Sequence, residues 1–339
     1  MEKKAQQNFL WIALLVLGTI WILARHNRVA PYHSTDGLIF GTMYRITYQY
    51  DADLSDEIKD ELRRFDGSLS PFNDTATISR INRNEDIVPD TLFINVFKRS
   101  MEISKETNGA FDITVAPLVN AWGFGFKKGT FPDSTRIDSL LKITGYNKVA
   151  LSAENKVVKQ DGRMMLSCSA VAKGYAVDVI ANLLAKKGIR NFMIDIGGEL
   201  VARGKNPQQK PWRIGINKPV DDSLSVNQEL QMVLNITDVG IATSGNYRNF
   251  YHKNGKKYAH TIDPRTGYPV QQNILSATVI AKDCMSADAY ATAFMVMGLE
   301  EAERFVNAHP DLEACFIYTD ETGKLGVYTT KGLEKLISD

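Results

Sequence analysis

Two oxygen-bearing side chains stand four residues apart in the stretch from Asp283 to Phe294. On a helix, Asp288 and Thr292 would lie on one face, one turn apart. A carboxylate and a hydroxyl are hard oxygen ligands, which suit Mg²⁺ or Ca²⁺ better than zinc. The same residues are also typical of an ordinary helix start, with Ser286 as the N-cap and Asp288 near the positive end of the helix. The stretch therefore has two interpretations, a cation site and a capped helix.

A lysine near the start of another predicted helix is the second candidate. Apolar residues recur every four positions over 170–187, and Lys173 is followed by Gly174 in its first turn. A lysine and backbone N–H groups at a helix start can together hold a phosphate. The Gly-x-x-x-x-Gly-Lys pattern is missing, which excludes a Walker loop. A surface lysine on an ordinary helix is the alternative.

Three further polar patches punctuated by glycine follow the predicted apolar elements. They are Asp195–Glu199, Thr243–Tyr247 and His260–Gly267. The first resembles a turn that brings backbone close to a ligand or a strand, and the second offers hydroxyl donors. The third places a histidine, an aspartate, an arginine and a threonine in one dense turn. Each patch, taken alone, is equally typical of a structural turn or loop.

The elements that must position these residues alternate irregularly between helix and strand. The periodicity predicts helices over 55–65 and 91–107, the latter capped by Asp90, and strands over 38–50 and 191–196. Gly41 would mark a bulge or a close backbone approach in the first strand. Strands and helices do not alternate as they do in a parallel βαβ sheet, so we predict a single α+β domain of mixed sheets and helices.

Composition excludes several classes of protein. The 339 residues are 44% hydrophobic and 23% charged, ordinary values for a globular protein with an ample core. A net charge of +1 gives no argument for a nucleic-acid partner. Three cysteines, an odd number, and five scattered histidines argue against a disulfide framework and a zinc site.

The N-terminus carries an apolar segment between basic residues. The sixteen residues from Phe9 to Ala24 fall short of the roughly 20 that span a bilayer comfortably, and exceed a typical signal-peptide core of about 7–15. No small-x-small cleavage site follows. We therefore predict an uncleaved signal anchor, or signal sequence, over 1–25 and a polar linker over 26–36. The folded domain would occupy 37–339 and lie outside the cytoplasm.

Seven short motifs, taken in order, resemble the flavin-transferase family known as ApbE, whose members move FMN from FAD onto a protein threonine. Together they span about residues 38–330. The motifs are Gly41-Thr42-Met43, Gly109-Ala110-Phe111-Asp112, Ala172-Lys173-Gly174-Tyr175-Ala176-Val177-Asp178, Asp195-Ile196-Gly197-Gly198, Thr243-Ser244-Gly245, His260-Thr261-Ile262-Asp263-Pro264-Arg265-Thr266-Gly267-Tyr268-Pro269 and Ala287-Asp288-Ala289-Tyr290-Ala291-Thr292-Ala293. The resemblance implies a single ApbE-like (T-fold-like) domain.

The resemblance also implies roles for individual residues. Mg²⁺ would be held by the backbone carbonyl of Ala170 and by the side chains of Asp288 and Thr292. Flavin contacts would fall on Met43, Phe72, Ala110, Phe111, Asp112, Ser167, Lys173 and Ile262. Many relatives have an aspartate at the position of Ser167, and a serine there can still hydrogen-bond the flavin or the ribose but contributes no charge.

The implied reaction is attack by a threonine (or serine) hydroxyl of a partner protein on the FAD phosphorus nearest the flavin, with release of AMP. Lys173 would neutralise pyrophosphate charge. His260 is the best candidate for the base because its unperturbed pKa is near 6.5. Asp263 would orient His260 or share its role, and Arg265 could reach a phosphate or tie down its turn. Water in place of threonine would give an FAD pyrophosphatase, and a non-catalytic flavin-binding module is the third reading.

The same resemblance predicts where the protein works and with what. We expect FAD as the substrate, Mg²⁺ as the cofactor, and an exported or membrane-associated acceptor protein that carries the target threonine. Residues 9–24 would anchor the chain in the inner membrane, with the domain facing the periplasm or the exterior.

Overall fold

An eight-stranded sheet in which every neighbouring pair is antiparallel organises the fold, with the strand order β1-β2-β5-β6-β9-β12-β13-β14. The structure, a computed structural model, describes residues 9, 11–19, 29–125, 131–219, 229–246, 250–253 and 256–338. The strands of the sheet are β1 (Tyr32–Ile39), β2 (Thr42–Gln49), β5 (Phe192–Ile196), β6 (Glu199–Arg203), β9 (Val239–Gly245), β12 (Ile274–Ala281), β13 (Glu313–Thr319) and β14 (Leu325–Thr329).

Three two-stranded hairpins and a set of helices complete the domain. The hairpins are β3 (Val149–Leu151) with β4 (Val157–Lys159), β7 (Trp212–Asn217) with β8 (Leu230–Ile236), and β10 (Phe250–Lys253) with β11 (Lys256–Ala259). From residue 29 onward, the helices are α1 (Ser55–Leu69), α2 (Thr77–Asn82), α3 (Thr91–Glu106), α4 (Ala116–Ala121), α5 (Ser134–Leu141), α6 (Ala172–Lys186), α7 (Cys284–Met297), α8 (Leu299–Ala308) and α9 (Lys331–Glu334). The α+β prediction is confirmed.

Both faces of the sheet are covered, so its strands divide their side chains between two cores. On β6, Val201 packs into the larger core together with the helices, whereas Leu200 and Ala202 pack into a smaller core formed with β7, β8 and α9. This division follows from the alternation of side chains along a strand. The continuous apolar run of β12, buried at almost every position, has the same cause.

The strand predicted over 38–50 is wrong as a single element. The chain turns at Phe40 and Gly41, whose φ values are +53° and +72°, and β1 pairs back onto β2. Two consecutive residues in the left-handed region form the tight turn that suits the twist of a hairpin. Gly41 is therefore a hairpin turn and not a bulge. β1 begins at Tyr32, inside the stretch that we assigned to the linker.

The helix that carries Asp288 and Thr292 is present, but its cap differs from the one predicted. Asp283 is the N-cap of α7, and its carboxylate accepts a hydrogen bond from the backbone N–H of Ser286 at 2.8 Å. Ser286 therefore lies inside the first turn. By contrast, the predicted cap of α3 is confirmed, because Asp90 accepts a hydrogen bond from Phe93 N.

α7 is enclosed on nearly every side. All of its residues are buried except Met285 and Thr292, as expected of a helix that is apolar around its whole circumference. A neighbouring helix approaches its first turn very closely: a Cβ atom added to Gly174 of α6 would lie 2.3 Å from the carbonyl oxygen of Cys284. Only glycine permits this approach without displacement of the backbone.

We expect Gly174→Ala to lower the free energy of unfolding by about 1–3 kcal/mol or more, because an added methyl group overpacks the contact between α6 and α7. Gly67→Ala is the matched control. Gly67 also lies within a helix, α1, but an added Cβ would meet nothing within 4 Å. That change should stabilise the protein by about 0.5–1 kcal/mol through helix propensity. Denaturant unfolding of both variants checks the pair, and equal effects would contradict the close-contact argument.

The predicted membrane segment is only partly described. Residues 11–19 are helical, and the rest of 9–24, apart from Phe9, lies outside the described residues. In the part of the chain that the structure describes, no helix has the length and apolar character needed to cross a membrane.

Candidate active site

A cavity of about 480 Å³ gathers most of the residues singled out from the sequence. It lies against α6 and α7, the β5–β6 turn and the segments before α4 and after β11. Eleven of the thirteen predicted site residues line it: Phe72, Ala110, Phe111, Asp112, Ser167, Ala170, Lys173, His260, Ile262, Asp288 and Thr292. These residues come from distant parts of the chain, so the fold brings the predicted motifs into one site.

α7 presents its two oxygen-bearing side chains to this cavity. Asp288 is buried, and its Oδ2 accepts a hydrogen bond from Gly174 N at 3.0 Å. Burial raises the pKa of Asp288, while the Lys173 ammonium and the Gly174 N–H oppose that shift. Thr292 Oγ1 lies 3.2 Å from Ser244 Oγ. The predicted alignment of carboxylate and hydroxyl along one helical face is confirmed.

Lys173 reaches the cavity from the first turn of α6. Its side chain is 33% exposed, and its Nζ forms an ion pair with Glu199 Oε1. Burial lowers the pKa of Lys173, but the carboxylates of Glu199 and Asp288 outweigh it, so the net shift is upward. Lys173 is therefore a cation at neutral pH. A fixed cation at a helix start, beside a cavity, suits a phosphate-bearing ligand.

The comparisons with known proteins identify the family. The model of the ApbE family matches residues 40–316. The chain is 34% identical over 319 residues to the FAD:protein FMN transferase of Vibrio cholerae, covering 91% of this chain and 94% of that protein.

The chain belongs to the ApbE family. It is also 34% identical over 318 residues to the Escherichia coli K12 FAD:protein FMN transferase, covering 88% of this chain and 90% of that protein. The solved flavin transferase ApbE from Vibrio cholerae superposes with a TM-score of 0.81 at 32% identity, over 91% of this chain and 99% of that one. The resemblance found in the seven motifs is thus confirmed.

The oxygen donors of α7 and of the segment before α6 fit the divalent cation that we predicted for this ApbE site. Asp288, Thr292 and Ala170 all line the cavity and offer a carboxylate, a hydroxyl and a carbonyl oxygen. Within the described residues, the hydrogen bonding of Asp288 involves Oδ2, which leaves Oδ1 as an oxygen ligand. No cluster of three or more His, Cys, Asp or Glu side chains suited to a metal occurs in that part of the chain. A carboxylate, a hydroxyl and a carbonyl group are hard oxygen ligands, which suit Mg²⁺ or Ca²⁺ better than zinc.

The segment Ala110–Asp112 forms another part of the ApbE cavity wall. The Asp112 carboxylate is engaged within the fold: Oδ1 accepts from Thr114 N and Thr114 Oγ1, both at 2.7 Å, and Oδ2 accepts from Tyr146 N at 2.7 Å. Burial raises the pKa of Asp112, and these hydrogen bonds oppose the shift. Asp112 thus holds the turn that places Ala110 and Phe111 against the cavity.

Ser167, at the position where many ApbE relatives carry aspartate, also lines the cavity. Its Oγ donates to Ser169 Oγ at 3.0 Å and accepts from Ser169 N at 3.3 Å. The hydroxyl is thus already tied to its own loop, and it adds no charge to the site.

His260 and Asp263 lie in one segment but occupy different environments. His260 lines the cavity, where its ring meets Phe124 edge to face with centroids 6.5 Å apart. Asp263 does not line the cavity; its carboxylate accepts from Arg265 N at 2.8 Å, Nε at 3.0 Å and Nη2 at 3.2 Å. The structure therefore places Asp263 and Arg265 as a pair that ties down the turn after Ile262.

Met43 and Phe72 are two exposed apolar side chains that were predicted to contact flavin. Phe72 is 80% exposed and lines the cavity, whereas Met43 is 62% exposed and does not. The carbonyl oxygen of Met43 accepts a hydrogen bond from Gly197 N at 2.9 Å, and Gly197 does line the cavity. Met43 thus lies next to the cavity wall.

Glu199 is the residue that the sequence reasoning missed. The motif around Asp195 drew attention to the glycines, and Glu199 received no role. It lines the cavity, is 2% exposed, and pairs with Lys173. Burial raises the pKa of Glu199 above its usual range, and Asp288 adds to the shift, while the Lys173 ammonium opposes it and favours the ionised carboxylate. A glutamate directly after the Gly197–Gly198 pair, at the start of a Leu-Val-Ala run, was the available signal.

The start of α7 is held from two other elements. Asp178 of α6 accepts hydrogen bonds from Cys284 N at 3.0 Å and Met285 N at 2.8 Å, one with each carboxylate oxygen. From the sheet, Gly240 of β9 comes so close that an added Cβ would lie 2.4 Å from Cys284 N. The helix that carries Asp288 is therefore fixed at the end nearest to Lys173.

Proposed function

We propose that this ApbE-family chain is an FAD:protein FMN transferase that transfers FMN to a threonine or serine hydroxyl of a partner protein, depends on Mg²⁺ and releases AMP. The observation that carries the proposal is the single cavity in which a lysine cation, a histidine and the Asp288–Thr292 oxygen pair meet. The names of the curated relatives support the same activity.

The proposed step balances as a phosphoryl transfer. The acceptor hydroxyl oxygen forms a bond to the FAD phosphorus nearest the flavin, and the bond from that phosphorus to the bridging oxygen breaks, so AMP leaves. His260 takes the proton of the attacking hydroxyl. Lys173 neutralises negative charge that develops on the phosphate oxygens. Ala170, Asp288 and Thr292 would hold Mg²⁺, which supplies further charge neutralisation on the pyrophosphate when bound.

The aromatic and backbone walls of the cavity would hold the flavin part of the substrate. The flavin ring system would pack against Phe72, Phe111, Ile262 and the backbone of Ala110. Ser167 offers a hydroxyl in the same cavity. Met43 would reach the ring from beside the β5–β6 turn. An aromatic and aliphatic wall with a few polar groups is the usual composition of a cofactor-sized site.

An assay of the full chain tests this proposal against its alternatives. We would incubate the protein with FAD, Mg²⁺ and a candidate acceptor protein, then denature the acceptor and look for covalent flavin fluorescence. We expect fluorescence on the acceptor together with AMP. AMP without covalent flavin would indicate an FAD pyrophosphatase, and neither product would indicate a flavin-binding module.

We also propose that the domain is exported and held at the inner membrane by residues 9–24, facing the periplasm or the exterior. The sixteen apolar residues between Lys4 and Arg25 support this placement. The acceptor would then be an exported or membrane-associated protein. Fractionation of cells that express the full chain, followed by protease treatment of intact spheroplasts, checks it. Recovery in the soluble cytoplasmic fraction would contradict it.

A further inference from the structure

Lys173 and Glu199 both line the cavity, but they differ in exposure. The Lys173 side chain is 33% exposed and that of Glu199 is 3% exposed, although the two are joined by a direct ion pair. Glu199 opens β6, directly after the Gly197–Gly198 turn that lines the same cavity. Lys173 therefore has a buried acidic partner, while part of its own side chain stays accessible to a ligand in the cavity.

Fold stability does not explain this pair. Glu199 Oε2 is buried and has no hydrogen-bond partner among the described residues. A buried carboxyl oxygen without a partner is costly, and a buried ion pair is frequently no more stabilising than apolar residues of similar volume. Glu199 is thus unfavourable for stability and lines the cavity, which indicates that it has a role in the site.

We propose that Glu199 is a positioning residue for Lys173: its Oε1 fixes the ammonium so that the remaining N–H donors face the pyrophosphate of FAD. The inference rests on the proposed function, because it assigns a task to Lys173 in that reaction. The Lys173 side chain has four rotatable bonds, and ordering them when a ligand binds costs conformational entropy. A partner that already orders the side chain in the free protein reduces that cost. Gly174 N, which is bound to Asp288, fixes the backbone of the same turn.

Two substitutions separate positioning from structural support. Glu199→Leu removes both oxygens, and we expect AMP release from FAD, measured with Mg²⁺ and the acceptor protein present, to fall by about 10–100-fold, the usual effect of losing a supporting group behind a functional one. Its melting temperature should stay near or above that of the wild type, because an apolar side chain replaces a half-satisfied carboxyl group. Glu199→Gln keeps an oxygen that accepts from Lys173 and should retain most of the activity.

The matched control is Glu57→Leu. Glu57 pairs with Lys187, at the other end of the same helix that carries Lys173, at 2.6 Å. That pair lies outside the cavity lining, so AMP release should stay at the wild-type level.

A double-mutant cycle decides whether Glu199 acts through Lys173. Lys173→Met should lower AMP release by about 100–1,000-fold, as the loss of one charge-stabilising donor does. If Glu199 acts through Lys173, the double variant Glu199→Leu/Lys173→Met should be no slower than Lys173→Met alone. If Glu199→Leu melts at a lower temperature than the wild type, the same cycle is run with Glu199→Asp, which keeps a carboxyl group but draws it away from the ammonium.

Additive losses in the cycle, or wild-type AMP release by Glu199→Leu, would overturn the inference while the proposed function stands. A loss in Glu199→Gln as large as that in Glu199→Leu would overturn it as well. Absence of AMP release by the wild-type protein with FAD, Mg²⁺ and the acceptor protein would overturn the proposed function first, and the role of Glu199 with it.

Discussion

Asp288→Ala should abolish Mg²⁺-dependent AMP release from FAD, with a loss of about 100-fold or more, while the protein stays folded. Asp288 is the only carboxylate of the oxygen set that we predicted for the cation, since Ala170 and Thr292 contribute neutral oxygens. Without that charge the site loses most of its attraction for a divalent ion. The measurement is AMP release over a Mg²⁺ titration, together with calorimetric Mg²⁺ binding.

Asp288→Asn controls for the structural part of this loss. The amide oxygen can still accept the hydrogen bond from Gly174 N, which Asp288 Oδ2 accepts at 3.0 Å, but the charge is gone. We therefore expect Asp288→Asn to lose Mg²⁺ binding as Asp288→Ala does. Its melting temperature should be higher than that of Asp288→Ala, because the hydrogen bond from Gly174 N is kept. Undiminished AMP release by either variant at the same Mg²⁺ concentration would refute the metal assignment.

His260→Ala should lower FMN transfer by about 100–10,000-fold, the range for removal of a general base. FAD affinity should change much less, because the proton that His260 takes belongs to the acceptor hydroxyl and not to FAD. Transfer is followed by covalent flavin on the acceptor, and FAD affinity by quenching of flavin fluorescence.

His309→Ala is the matched control for this prediction. His309 lies at the end of α8, stacked on Phe305 with centroids 4.0 Å apart, and does not line the cavity. Its removal should leave transfer unchanged. Equal losses of transfer and FAD affinity in His260→Ala would show that His260 serves binding rather than proton transfer.

The sequence predicted those features that depend only on residues close together in the chain, such as the face of a helix or its cap. The four-residue spacing of Asp288 and Thr292 is enough to place them on one face of α7, and Asp90 is a recognisable cap of α3. The cap of α7 was misplaced because Asp283 and Ser286 are both good N-cap residues, and their types alone do not show which of them caps the helix. The hairpin at Gly41 was missed because β1 is a mixed polar and apolar edge strand without clear alternation.

The spacing of residues along the chain could not predict which distant side chains meet in the site. Lys173 and Glu199 are separated by a helix, a strand and a turn, so their ion pair exists only once α6 packs on the sheet. The resemblance to ApbE supplied the list of residues that share the cavity, and the structure agrees for most of them. It could not show that Asp263 faces Arg265 instead of the cavity, because that depends on the local fold of one turn.

The attachment of α7 to α6 has a consequence for how this enzyme tolerates change. Lys173, Gly174 and Asp178 all belong to α6, and the last two hold the first turn of α7. The Lys173 cation and the Asp288 carboxylate therefore lie on two helices that are attached directly to each other. Substitutions that tilt α6 and α7 together relative to the sheet move both charged groups and preserve the distance between them. Those that part the two helices alter it, so we expect substitutions to be poorly tolerated where α6 and α7 meet each other.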